Sequence, residues 1–248
     1  MPSRTAGVAS RSVGGGALLL VMLSAAVHAA SLAPLAGPEG ATPQAPWVFS
    51  GLPGQSLPAT RFMFDRLEDR TVLRIQTAGS YGNLVHPLAA SSAGRLSWRW
   101  RVDLPLKSAD LRSRPGDDVA LKVCALFDMP RDSVPFLDRQ LLRLAETRTG
   151  QPLPTATVCY AWDPSSPAGT VVPNAYSRRV RYITLGMPPR TWQAVSRNLA
   201  DDFIRAFGDE ATTVPPLRAI AVGADADNTG GSSIGFIADL EWTPTGTR

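Results

Sequence analysis

The chain has 248 residues, of which 25 are lysine or arginine and 21 are aspartate or glutamate, so its formal net charge is +4. Apolar residues make up 44% and charged residues 19%. These values are typical of a globular protein and exclude a disordered or coiled-coil chain. Only two histidines are present, so composition already disfavours histidine-based metal and acid–base centres.

The N-terminal segment has the three parts of a secretory signal. Arg4 and Arg11 make its start basic, the apolar run GALLLVMLSAAV follows at 16–27, and the tripeptide Val-His-Ala at 27–29 fits a signal-peptidase site. The apolar run is shorter than the about 20 residues that a membrane-spanning helix needs. We therefore predict a signal peptide over 1–29, a periplasmic or secreted protein, and no membrane association after cleavage.

Residues 30–46 are rich in proline, glycine and alanine and show no periodicity, which predicts a flexible linker. Loss of the signal would remove two arginines and no acidic residue, leaving a net charge of +2. So small a charge gives no indication of nucleic acid as a partner. The remainder, 47–244, reads as a single domain, and the sequence gives no basis for an oligomeric state.

From residue 47 onward the dominant pattern is that of β-strands. Residues 95–103 alternate, with Leu96, Trp98, Trp100 and Val102 on one face, which is typical of a half-buried strand. Further strand-like runs are 47–51, 61–67, 71–77, 83–89, 118–128, 155–162, 178–185, 217–225 and 234–242. Helical spacing is limited to 137–150 and 198–208. We predict a mainly β fold, an antiparallel, jelly-roll-like β-sandwich with one or two short helices.

Two cysteines, Cys124 and Cys159, lie in separate strand-like runs. In an oxidising compartment they could form a disulfide. Two free buried thiols are the equal alternative, because the sequence does not provide the Cα separation on which a disulfide depends.

Several catalytic chemistries lack the residues they need. The sequence contains no C-x-x-C, H-E-x-x-H or P-loop motif, so zinc and nucleotide chemistry have no support. Apart from the histidine in the signal, only His86 remains, in an apolar strand before a proline. We interpret it as a structural strand histidine.

Aromatic, acidic and amide side chains in loops and at strand ends are the best candidates for a binding site. Such side chains recognise sugars by stacking on the ring and by hydrogen bonds to the hydroxyl groups. The candidate ligand-binding residues are Arg99, Asp117, Asp118, Trp162, Asn174 and Tyr176.

The loop GADADNTGG at 223–231 is a second candidate site. It places the oxygen-bearing residues Asp225, Asp227 and Asn228, followed by Thr229, between two strands, and alternating oxygen ligands suit calcium. The loop lacks the glutamate of a helical calcium loop, because the twelfth position from Asp225 is Phe236. The alternative is an Asx-rich turn whose side chains bond their own backbone. No other cofactor is predicted.

The motifs together resemble a bacterial family called domain of unknown function 3047. The segments that carry this resemblance are WRWRVD (98–103), GDDVALKVCALFD (116–128), PLPTATVCYAWD (152–163), GTVVPNAYSRRVR (169–181), RNLADDFIRAFG (197–208) and ADADNTGG (224–231). The resemblance covers about residues 47–243 and implies no activity. The final strand IGFIADLEW is also similar, more weakly, to that of galactose-binding-like jelly rolls, which concerns the fold alone.

Three functions remain open from the sequence. The preferred one is non-catalytic binding of a carbohydrate or cell-envelope glycan. The second is a carboxylate-based glycan hydrolase or lyase in which Asp117 or Asp118 acts with Asp239 or Glu241, since glycosidases need two carboxyl groups about 5–10 Å apart. The third is a structural envelope protein, which predicts no polar cavity.

Overall fold

The computed structural model describes residues 31–245 except 53, 151 and 187. The signal peptide predicted over 1–29 lies outside the described residues. Within them the chain forms twelve strands, two α-helices and two short 3₁₀ turns. No helix in this part of the chain has the length and hydropathy to cross a membrane.

The strands form two sheets that pack face to face. In chain order they are β1 (Val48–Ser50), β2 (Arg61–Leu67), β3 (Arg70–Ala78), β4 (Tyr81–Ser91), β5 (Arg95–Leu104), β6 (Val119–Phe127), β7 (Ala156–Ala161), β8 (Val171–Pro173), β9 (Val180–Thr184), β10 (Gln193–Asn198), β11 (Leu217–Asp225) and β12 (Ser232–Thr243). One sheet has the order β1-β4-β11-β6-β7-β9-β8 and the other β10-β5-β12-β3-β2. All pairs are antiparallel except β7 with β9. The predicted β-sandwich is confirmed.

The main core lies between the two sheets. The alternation in β5 places Trp98 and Trp100 there, with side chains 1% and 0% exposed. Trp98 contacts Tyr160 of β7 on the facing sheet, with ring centroids 5.2 Å apart. These large side chains remove much apolar surface from water, which is the main stabilising term of such a sandwich. The second face of each sheet is therefore available for other contacts.

Two helices, α1 (Phe136–Thr149) and α2 (Leu199–Phe207), occupy the predicted segments. Helix α1 ends at Gly150, whose φ of 67° is the left-handed conformation that glycine adopts without strain. Helix α2 begins at Asn198, whose side chain accepts a hydrogen bond from the Ala200 N–H. The end of α1 and the start of α2 thus follow from capping residues that are visible in the sequence.

The sequence patterns did not predict two edge strands. Strand β8 has three residues and ends at a proline, and β10 is half-exposed with polar residues on both faces. Each forms the edge of a sheet, β8 beside β9 and β10 beside β5. Short or amphiphilic edge strands carry a weak period-two signal, because they lack one fully buried face.

The described residues of the segment predicted as a flexible linker, 30–46, pack against the sandwich. The Ala33 N–H donates to His86 Nε2 over 3.0 Å, and Leu35 is buried in the main core. The Gly40 N–H donates to the Phe64 carbonyl, and Phe64 N–H donates to the Ala41 carbonyl. Proline and glycine prevent regular structure here, but they leave backbone groups and an apolar side chain free to dock.

Cys124 and Cys159 form a disulfide, which decides between the two open alternatives. The register of β6 and β7 makes them direct cross-strand partners, with Cα atoms 4.0 Å apart. Both side chains lie on the face of the seven-stranded sheet that points away from the main core.

The double variant Cys124→Ala/Cys159→Ala should lower the free energy of unfolding by about 4 kcal/mol, because the bridge closes a loop of 35 residues in the unfolded chain. Urea denaturation of the two proteins measures this difference. Dithiothreitol should destabilise the wild type to the same extent and leave the double variant unchanged. Equal stability of both oxidised proteins would contradict the expectation.

Candidate functional site

A cavity of about 540 Å³ lies on the outer face of the seven-stranded sheet. Strands β4, β6, β7, β9 and β11 supply its floor, which is mainly apolar. The floor residues are Val85, Cys124, Leu126, Cys159, Val180 and Ala221. The cavity is large enough for a small organic ligand.

Polar side chains surround this floor. The uncharged ones are Ser50, Tyr81, Asn83, Thr157, Asn174, Tyr176, Tyr182 and Asn228. The charged ones are Asp117, Lys122, Asp225 and Asp227. Three predicted ligand-binding residues, Asp117, Asn174 and Tyr176, thus meet at one cavity together with the three residues predicted as calcium ligands.

Asp118 lies behind one wall of the cavity and stabilises it through hydrogen bonds. Its side chain is buried, and its Oδ1 accepts from the Asn228 N–H at 3.1 Å while Oδ2 accepts from the Thr229 N–H at 2.7 Å. The Asn228 amide also donates to the Asp117 carbonyl at 3.0 Å. Asp118 was predicted to contact a ligand, but these bonds give it a positioning role: it fixes the loop that follows β11.

Asp117 also lines the cavity, and its carboxyl group is partly unsatisfied. Its Oδ2 accepts from Asn174 Nδ2 over 2.6 Å, whereas its buried Oδ1 has no hydrogen-bond partner among the described residues. Burial raises the pKa of Asp117 to about 6, and the nearby Asp225 and Asp118 charges contribute in the same direction. This carboxyl group therefore exchanges a proton close to neutral pH.

A turn connects Asp117 to the opposite wall. Asn174 Oδ1 accepts from the N–H groups of Tyr176 and Ser177, an Asx turn. The Tyr176 hydroxyl donates to Asn228 Oδ1 over 2.7 Å. The Tyr176 ring is half-exposed and lies beside the Arg114 guanidinium, 5.3 Å from the ring centroid. The two loops thus form a single hydrogen-bonded rim.

A buried ion pair lies under this rim. Lys122 Nζ is 3.0 Å from Asp225 Oδ2, and Asp225 Oδ1 accepts from the Val119 N–H at 3.0 Å. Burial alone would lower the pKa of Lys122, but the Asp225 carboxylate outweighs it and keeps the lysine charged. The ammonium group also lies 5.1 Å from the centroid of the Tyr81 ring.

Three cavity residues were not predicted from the sequence: Tyr81, Lys122 and Tyr182. A signal for the lysine was present, because a charged residue interrupts the apolar strand two positions before Cys124. The tyrosines carried no comparable signal, since aromatic residues in strands usually pack in a core. Burial raises the pKa of Tyr182, which keeps its hydroxyl protonated beside the ion pair.

The calcium hypothesis gains no support from this geometry. Both Asp225 oxygens accept from Lys122 and the backbone, and Asn228 Oδ1 accepts from Tyr176. Asp227 is partly buried, and its Oδ1 has no partner in the described part of the chain. No group of three or more potential metal-ligating His, Cys, Asp or Glu side chains occurs among the described residues. The oxygens that a cation needs are largely engaged by protein donors.

Two predicted ligand-binding residues lie away from this cavity. Arg99 lies on β5 in the five-stranded sheet, where its guanidinium is 5.5 Å from the centroid of the Trp192 ring. Trp162 is partly buried and packs against the main core. Trp162 therefore lies on the side of its sheet opposite the cavity, and Arg99 lies on the other sheet. The alternation within one strand does not reveal which face meets the core or which sheet the strand joins.

The carboxylate pairs suggested for a hydrolase are not assembled. Asp239 and Glu241 lie on β12 of the five-stranded sheet, and Asp239 forms an exposed ion pair with Arg70 at 3.4 Å. The cavity instead contains Asp117, Asp225 and Asp227.

Comparison with known proteins identifies the family. Residues 45–241 match the model described as "Protein of unknown function (DUF3047)". The chain belongs to this family. The predicted resemblance is confirmed, and the match spans both sheets and every residue of the cavity. No curated protein matches the sequence significantly.

Several solved structures are similar in their arrangement of strands. One is TmCBM61 in complex with β-1,4-galactotriose, with 8% identity over 81% of this chain and 90% of that chain and a TM-score of 0.35. Another is the xyloglucanase domain of NopAA from Sinorhizobium fredii in complex with cellobiose, with 7% identity over 84% and 99% and a TM-score of 0.42. A third is a metagenome-derived glycoside hydrolase family 12 endoglucanase, with 14% identity over 84% and 99% and a TM-score of 0.42.

Asp118→Asn should lower the free energy of unfolding by about 2–3 kcal/mol, because the new amide group cannot accept from both loop N–H groups and leaves one of them unpaired. Urea denaturation measures the change. Asp239→Asn, on the exposed face of the other sheet, is the matched control and should shift the value by less than about 0.5 kcal/mol. Equal effects of the two substitutions would contradict the positioning role.

The raised pKa of Asp117 predicts a pH dependence of stability. Because the folded state binds this proton more tightly than the unfolded state, the folded protein should lose stability as the pH rises from about 4 to about 6. The loss attributable to Asp117 is about 2–3 kcal/mol and is complete above that range.

Unfolding free energies of the wild type and Asp117→Asn at pH 4 and pH 7 isolate this contribution. The stability of the variant relative to the wild type should increase by that amount between the two pH values. A carboxyl ¹³C titration that places the pKa of Asp117 at or below its ordinary 3.8 would contradict the interpretation.

Proposed function

We propose that the protein binds a carbohydrate, such as a cell-envelope glycan, in the cavity on the seven-stranded sheet, without catalysis. One observation carries the proposal. The cavity combines an apolar floor with a rim of tyrosine, amide and carboxyl groups, in which Asp117 and Asp227 each keep a buried oxygen unpaired within the described chain.

Sugar chemistry matches this combination. The C–H face of a pyranose ring can pack on the disulfide and the aliphatic side chains, or against the half-exposed ring of Tyr176. Hydroxyl groups can donate to the free oxygens of Asp117 and Asp227 and satisfy acceptors that are otherwise costly to bury. A purely structural protein would have no need for such a concave polar surface.

The proposed location is outside the cytoplasm. The signal-like segment at 1–29 motivates it, and the Cys124–Cys159 disulfide supports it, because such bridges persist mainly in oxidising compartments. An envelope or extracellular glycan is the ligand that a binding protein in that location would meet.

Isothermal titration of residues 30–248 with a panel of envelope and plant oligosaccharides tests the proposal. At least one oligosaccharide should bind, and a ligand at 100 times its dissociation constant should stabilise the protein by about 2.7 kcal/mol. Asp117→Asn and Tyr176→Ala should each weaken binding about tenfold or more, since each removes a polar or stacking contact in the cavity.

Arg99→Ala is the control, because this residue lies on the other sheet, and it should leave the affinity unchanged. Circular dichroism of each variant verifies the fold. The proposal fails if none of the oligosaccharides binds, or if binding is insensitive to both cavity substitutions.

A carboxylate-based hydrolase or lyase is the second candidate, favoured by one observation. Asp117, with its pKa of about 6, shares the cavity with the Asp227 carboxyl group, and a carboxyl group that titrates near neutrality can act as a general acid. Chromatography of each bound oligosaccharide after prolonged incubation distinguishes the two functions. Cleavage by the wild type that Asp117→Asn abolishes, with binding retained, would establish the enzyme.

A further inference from the structure

The charged groups around the cavity are mainly acidic. Four carboxyl groups lie at or behind its rim: Asp117 and Asp118 at the start of β6, Asp225 at the end of β11, and Asp227 in the loop that follows. The cations that face them are Lys122 on β6 and Arg114 in the 3₁₀ turn. The remaining titratable groups at the site are Tyr81, Tyr176 and Tyr182. Acidic groups therefore outnumber basic ones by two.

Internal contacts cancel part of this charge. Lys122 and Asp225 form a buried ion pair, with side chains 6% and 7% exposed, and neutralise each other. Asp118 accepts from the Asn228 and Thr229 amides with both oxygens, so its charge is stabilised by protein donors. These three residues need nothing from a ligand.

Asp117 and Asp227 differ from them. Asp117 is 95% buried, at 5% relative exposure, and lines the cavity with its Oδ1 unpaired among the described residues. Asp227 also lines the cavity with a buried Oδ1 for which the described chain supplies no donor. Arg114 Nε donates to the Ala175 carbonyl. Among the described residues, Arg114 forms no hydrogen bond with either carboxyl group.

We propose that the glycan bound here carries a protonated amine, as in an amino sugar, which Asp117 and Asp227 recognise. This inference rests on the proposed glycan-binding function. An ammonium group offers three donors and a positive charge, so it can donate to a free carboxylate oxygen and compensates the excess negative charge. An acidic glycan would meet uncompensated carboxylates and be repelled.

The proton affinity of Asp117 agrees with this assignment. Burial and the neighbouring Asp225 charge raise its pKa to about 6, so a negative charge at this position is costly without a cation. An ammonium group beside it would favour the ionised carboxylate and lower its pKa. Binding should therefore release a proton from Asp117 near that pH.

Three 1,4-linked oligosaccharides of equal length provide the test: β-linked oligomers of glucosamine and of N-acetylglucosamine, and an α-linked oligomer of galacturonate. In isothermal titration at neutral pH, the glucosamine oligomer should bind about tenfold or more tightly than the other two, as expected for charge-assisted hydrogen bonds. Its affinity should fall with added salt more steeply than that of the acetylated oligomer.

Asp117→Asn and Asp227→Asn should each remove most of this preference, and Asp239→Asn on the other sheet should retain it. Two site variants are used so that a folding defect in one, detected by circular dichroism, leaves the other informative. Spermidine, an amine without a sugar, should bind at least tenfold more weakly than the glucosamine oligomer.

The outcomes separate the two proposals. Equal binding of the amino and acetylated oligomers, tightest binding of the galacturonate, or a preference that survives both substitutions overturns the amine inference and leaves glycan binding in place. Spermidine binding as tightly as the glucosamine oligomer overturns recognition of a sugar amine. Failure of all three oligomers, together with the wider oligosaccharide panel, overturns the glycan-binding function itself.

Discussion

The candidate site depends on one buried carboxylate, Asp118. It joins the start of β6 to the loop after β11 by accepting two backbone N–H groups. That loop presents Asn228, which in turn receives the Tyr176 hydroxyl from the opposite wall. Charge-assisted bonds to a buried carboxylate are among the stronger polar contacts in a protein, and they stabilise a loop that has no regular structure of its own. A rigid pair of strands thus sets the distance between the two walls.

Polar groups on a sheet face need partners, and the cavity shows two solutions. Lys122 and Asp225 satisfy each other within the fold, where losing either residue would leave an uncompensated buried charge. Asp117 and Asp227 keep acceptors that the described chain leaves unpaired, at a cost to stability that a ligand can offset. Such a division between internally satisfied and unsatisfied groups is typical of preorganised binding sites.

Sequence reasoning predicted the fold well because strand alternation is a local property. Trp98 and Trp100 alternate with polar neighbours, and both are buried as that period requires. The same reasoning placed Asp117, Asn174 and Tyr176 in loops. That they form one binding site was only a hypothesis, because the sequence does not show which loops are close in space. Sequence reasoning also grouped Arg99 and Trp162 with these residues, although both lie away from the cavity. A strand pattern distinguishes two faces without revealing which face meets the core or which sheet the strand joins. Lys122 was missed although its position in an apolar strand marked it as unusual.

The cross-strand disulfide has a consequence for the way the cavity can adapt. It ties β6 to β7 in the middle of the floor, so the two strands cannot slide past each other or separate to admit a wider ligand. Differences in ligand size must be accommodated by the turn at 174–177 and the loop at 226–231, which rise above that floor. Evolution of a new preference within this scaffold would accordingly proceed by exchange of loop residues over an unchanging base.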